Sequence, residues 1–141
     1  MTIVRVLLVS VVVAGCSRAP TVLSEEELLK ILVEAKRVGP YQFERQAWPL
    51  LKNKMITYCD QIDDVKTAGT DSLLILKVNK RYAGEKLPWL LEGKTAAPDA
   101  ARLPKPGETI CMTGTIESYT ERNNSYWGHV KVVSVEKSAA S

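Results

Sequence analysis

A single histidine, a single phenylalanine and three cysteines in 141 residues leave little catalytic or metal-binding chemistry to consider. His129 has no cysteine or second histidine at metal-ligand spacing, so no metal is implied. Asp63-Asp64 are paired carboxylates in name only, because neighbours on an extended chain point to opposite sides and a turn explains them better. There is no G-x-S-x-G motif, no glycine-rich phosphate cradle and no zinc signature. These absences argue against an enzyme and imply no cofactor. A basic excess is missing too: 19 Lys and Arg stand against 16 Asp and Glu, which argues against nucleic acid as the main partner. The only long apolar run, residues 6–13, is far shorter than the roughly 20 residues a membrane-crossing helix needs.

That run has a role of a different kind. Arg5 precedes it and the small pair Ala14-Gly15 follows it, which is the order of parts in an export signal. Val13-Ala14-Gly15-Cys16 resembles the lipobox of bacterial lipoproteins: a branched apolar residue, two small residues, and the cysteine that is acylated before the signal is cut. The resemblance implies that residues 1–15 are removed and that Cys16 carries lipid, palmitate included, as the mature first residue. Ser17 stands where the family's inner-membrane retention signal has Asp. The resemblance therefore favours an outer-membrane anchor facing the periplasm, and makes the membrane a partner through Cys16. Without Arg5 the charge balance becomes 18 to 16, close to neutral.

About 125 residues then remain, enough for one core and too few for two. Residues 16–23, with Pro20 and no periodicity, read as a tether, and residues 24–141 as a single domain. Ser24 with Glu27 forms a capping box, and Glu25 and Glu26 add negative charge at the positive end of the helix dipole. Leu28, Leu29, Ile31, Leu32 and Ala35 make an apolar stripe at helical spacing, and Gly39-Pro40 ends it. A second short helix is predicted over 41–48, stopped by Pro49 and packed through Phe43, Ala47 and Trp48. Five strands follow, over 55–62, 73–78, 87–91, 109–116 and 127–135, rich in Ile, Val, Thr and aromatics and bounded by Gly, Pro, Asp and Asn. The third, with Pro88 inside it, reads as a poor strand suited to a sheet edge. The longest connection is 93–107, with a possible helical turn over 96–103.

These patterns predict a mainly β, overall α+β fold, a small barrel or sandwich of five strands after one or two short helices. Five strands with the longest, partly helical connection between the third and fourth match the OB-fold, a Greek-key barrel, here over about residues 51–136. Ala47-Trp48-Pro49-Leu50-Leu51-Lys52-Asn53-Lys54-Met55-Ile56 and, later, Lys105-Pro106-Gly107-Glu108-Thr109-Ile110 with Gly114 and Ile116 resemble the tRNA_anti-like group of bacterial OB-fold proteins. That resemblance implies the fold. The group's name does not license tRNA binding by an exported chain.

Two further readings concern sites. Cys59 and Cys111 are an even pair in an oxidising compartment. If Ile56, Tyr58 and Ile62 face one side of the first strand and Ile110, Met112 and Ile116 face inward on the fourth, both thiols face outward on strands that neighbour each other in an OB barrel, which predicts a disulfide. The alternative is two free thiols packed as small apolar groups. Tyr119, Arg122, Asn123, Asn124, Tyr126 and Trp127 cluster between strands four and five, in a loop that grips ligands in OB-folds. Aromatic faces there suit an oligosaccharide or a single-stranded nucleic acid. The competing reading is turn chemistry at Asn123-Asn124 with the aromatics capping the barrel end. Arg81 and Tyr82 carry the same two readings. The function expected on balance is a non-catalytic, lipid-anchored envelope module that binds a partner protein, with ligand binding through the 119–127 loop as the alternative.

Overall fold

A computed structural model of the chain describes residues 22–96 and 103–138. The signal, Cys16, most of the tether and the helical turn expected over 96–103 fall wholly or largely outside them.

The capping box at the start of α1 (Glu25–Gln42) is complete: the Glu27 amide donates to Ser24 Oγ at 3.1 Å and the Ser24 amide donates to the Glu27 carboxylate at 3.2 Å. Leu28, Leu29, Leu32, Val33 and Ala35 form its buried face. Gly39, at φ 81°, breaks the helical path, and Pro40 brings no amide hydrogen, so the axis kinks there. The chain does not leave the helical region afterwards. A π-helical turn, Phe43–Ala47, leads into α2 (Trp48–Leu51), whose first turn contains Pro49. Pro49 thus starts a helical turn, where a missing amide costs nothing, and does not end one as the sequence suggested.

The strands are β1 (Val22–Leu23), β2 (Lys54–Ala68), β3 (Asp71–Lys77), β4 (Arg81–Tyr82), β5 (Glu85–Lys86), β6 (Trp89–Ala96), β7 (Thr109–Arg122) and β8 (Ser125–Lys137). The main sheet runs β1-β2-β3-β6-β8-β7, and β7 pairs back onto β2. Strands β2, β3, β6, β8 and β7 therefore close a five-stranded barrel of OB-like topology, in which β6–β8 is the parallel contact and the other contacts are antiparallel. Closure depends on one long, bent strand. β2 pairs with β7 through Lys54–Gln61 and with β3 from Ile62 onward, and its register shifts between Ile62 and Asp64. A bulge at that point re-aims a strand, so Asp63 and Asp64 belong to a barrel corner inside β2 and not to the turn expected of them.

The third barrel strand also departs from expectation. β6 begins after Pro88, extends to Ala96 and is paired on both sides, with β3 and with β8. It is an interior strand, because the proline that seemed to weaken it lies just before it, where no ladder amide is needed.

α1 and the barrel interior share one core: Leu28, Leu32 and Val33 join Ile56, Tyr58, Leu74, Leu76, Leu91, Ile110 and Met112. Trp89 ties the two layers, its indole nitrogen donating to the Leu32 carbonyl at 3.0 Å. Some interior positions admit no side chain at all. A Cβ on Gly114 would lie 2.3 Å from the Lys131 carbonyl oxygen, so that glycine lets β7 and β8 approach.

Candidate functional site

Tyr119, Arg122, Asn123, Tyr126 and Trp127 do not form a loop. β7 and β8 continue almost to each other and are joined by Asn123 and Asn124 alone, both at positive φ (48° and 64°), which asparagine tolerates better than most residues. The alternation of an antiparallel ladder then divides the aromatics between two faces.

Tyr126 is 4% exposed and stacks on Trp89, ring centroids 4.9 Å apart and planes 16° apart. Tyr119 packs edge-on against Phe43 and Trp48, and its hydroxyl donates to the Glu44 carboxylate. These five rings belong to the barrel end and the helices that cover it. Tyr119 and Tyr126 therefore cap the barrel and do not form the free aromatic platform on a loop that the sequence suggested. Burial, then the nearby Glu44 carboxylate, pushes the Tyr119 hydroxyl well above its ordinary range, and burial, then Glu121, raises that of Tyr126. Trp127 lies half-buried on the outer face of β8, with the Arg122 guanidinium 5.4 Å above its ring.

His129 shares that outer face, two residues along. Its Nδ1 lies 3.0 Å from the Glu92 carboxylate on β6, and its Nε2 lies 2.8 Å from the Thr120 hydroxyl on β7. Hydroxyl, imidazole and carboxylate thus follow one another across three strands. The order holds the ring orientation, with Glu92 accepting from Nδ1. A shallow groove of about 580 Å³ adjoins it, lined by His129 and Glu92 with Asp71, Lys94, Glu117 and Lys131. No group of three or more His, Cys, Asp or Glu side chains among the described residues is placed to hold a metal ion.

An apolar groove with a volume of about 600 Å³ lies at the tip of the hairpin. One wall is the α1 kink at Gly39-Pro40, another the segment 86–90, and the third the β7–β8 turn at Asn124 and Ser125. Trp89, Tyr126, Leu87 and Pro88 give it an apolar floor, and Lys36, Lys77 and Lys86 stand around it. Sequence reasoning missed this groove. Its residues come from four separate stretches, and of the cluster chosen from sequence Asn124 and Tyr126 contribute to it. The signals present were the Gly39-Pro40 break and the Pro88-Trp89 step, both of which read as structural punctuation.

Cys59 and Cys111 are direct cross-strand partners in the β2–β7 seam, Cα atoms 4.0 Å apart and sulfurs at bonding distance, 2.11 Å. Nearby, Tyr58 is fully buried and donates to Asp60, which also accepts from the Asn79 amide at 3.0 Å.

No protein-family model matches this chain, and no curated protein matches it.

Proposed function

We propose that this chain is a lipid-anchored, non-catalytic OB-like module of the bacterial envelope that binds a partner protein in the groove between the α1 kink and the β7–β8 turn. The groove carries the reading. An apolar floor, proline walls and positive charge converge there, and a volume of about 600 Å³ lies within the range of ordinary ligand and peptide sites. The lipobox resemblance at Cys16 supports the envelope setting, and the tRNA_anti-like resemblance of the barrel supports the OB-like fold. A tether from Cys16 to β1 is at most about 20 Å long, so the domain stays close to the bilayer surface and reaches partners there. An outer-membrane anchor facing the periplasm follows from Ser17.

The test combines fractionation with site-directed photocrosslinking in cells. Wild type should sediment with membranes and Cys16→Ala should not. A photocrosslinking residue at Leu90 should give a discrete envelope-protein adduct that the same residue at exposed Val133 does not. Equal partitioning of the two forms would overturn the anchor, and equal adducts at the two positions would overturn the groove.

A further inference from the structure

We infer that the groove receives an extended, acidic peptide segment with interspersed apolar residues, its carboxylates meeting Lys36, Lys77 and Lys86. This deepens the groove reading above and rests on it. The basis is a contrast among the cations on this side of the molecule. Lys80 is bound to Glu25 at 2.7 Å, and Arg37 to Glu85 at 2.9 Å, so those charges are already compensated by the protein. Lys36, Lys77 and Lys86 come from three different elements, line one groove, and have no ion-pair partner among the described residues. Among the described residues, Glu121 is the one acid lining the groove, so the three lysines there outnumber the carboxylates.

Positive charge around an apolar floor selects an anionic amphiphile, and the shape of the groove chooses among these. An acyl chain gains in proportion to the apolar area it removes from water, and in an open groove much of its length stays exposed. This groove is open to solvent and not an enclosed cavity. A peptide suits it better: alternate side chains enter, the backbone keeps its hydration, and the carboxylates steer the encounter.

The test pans a random peptide display library against the full mature lipidated protein in phosphatidylcholine nanodiscs. Binding of the recovered peptides is then measured for wild type and for Lys36→Glu/Lys77→Glu/Lys86→Glu, with the corresponding Gln variant and a circular dichroism spectrum to show that the fold survives. The expected result is recovery of peptides rich in Asp and Glu, binding that weakens with salt, and a loss of about tenfold or more on charge reversal with a smaller loss for Gln. Recovery of neutral or basic peptides that Leu90→Glu displaces but lysine reversal does not would overturn the acidic partner while leaving the groove standing. Lysine-dependent binding of phosphatidylglycerol vesicles without acidic peptides would make the occupant a lipid and overturn the inference. Absence of any groove-dependent binding would overturn both readings.

Discussion

Cys59 faces Cys111 across the β2–β7 seam, the contact that converts a curved sheet into a closed barrel. The bond joins residues 52 apart in sequence, so in the unfolded chain it restrains a long loop. Loop-entropy arguments put the loss for the Cys59→Ala/Cys111→Ala double variant at about 2–4 kcal/mol. Urea denaturation checks this: the wild-type midpoint should fall on adding reductant, and the double variant should match the reduced wild type. A midpoint indifferent to reductant would show that the seam needs no covalent support.

Ala83 holds φ at 52° in the two-residue turn between β4 and β5, followed by Gly84 at 80°. Alanine has a Cβ to pay for in this region and glycine does not. Ala83→Gly should therefore raise stability by up to about 1 kcal/mol, and Ala83→Asn by less. At Gly114 the sign reverses. Gly114→Ala sets a methyl against the Lys131 carbonyl, a backbone atom that a rotamer change does not move, and should destabilise by about 1–3 kcal/mol. Thermal melts of the three variants check both statements, and a neutral Gly114→Ala would show that β7 and β8 can separate locally.

The fold was largely legible in the sequence because it rests on local rules. Ser24 and Glu27 announce the start of α1, and the alternation of Ile110, Met112 and Ile116 with Cys111 fixes which face of β7 is inside. The parity of Cys59 and Cys111 followed from the same alternation. The errors arose where a local signal serves a non-local purpose. Asp63-Asp64 resemble a turn but occupy a bulge, whose need appears only once β2 must serve two neighbours. Pro88 resembles an edge marker until β8 is known to lie beside β6. The groove was invisible because Lys36, Lys77 and Lys86 share no spacing, and Tyr119 and Tyr126 misled because a two-residue turn turns an apparent loop into a ladder.

Three tyrosines tie stability to alkaline pH. Burial is the first cause of the raised hydroxyl in Tyr58, Tyr119 and Tyr126, with Asp60, Glu44 and Glu121 beside them adding to it. A folded-state value above the unfolded one means that the unfolded chain releases its protons first. The stability is fully present below about pH 10 and is lost as pH rises from there toward the folded values. For fully buried Tyr58 the slope is about 1.4 kcal/mol per pH unit. Tyr58→Phe should flatten the decline above pH 10, at the cost of the hydrogen bond to Asp60 at neutral pH. Urea titrations across that range give the slope, and an unchanged slope in the variant would place the alkaline sensitivity elsewhere.

Thr120, His129 and Glu92 pose the sharpest test of the non-catalytic reading, since a hydroxyl, an imidazole and a carboxylate in series can activate a nucleophile. The strands give a structural account of the same contacts. Glu92 and His129 are direct partners in the parallel β6–β8 ladder, and Thr120 lies one step diagonally away across β7–β8, so all three meet wherever those strands pair. A cross-strand role predicts a modest stability loss for His129→Ala, about 1 kcal/mol, and a similar one for Glu92→Gln. It also predicts that hydrolysis of an activated ester such as p-nitrophenyl acetate proceeds at the same slow rate in wild type, His129→Ala and Thr120→Val. Turnover in the wild type that both variants abolish, with their folds intact, would make the outer face of β6, β8 and β7 an active site and replace the adaptor reading with a hydrolase.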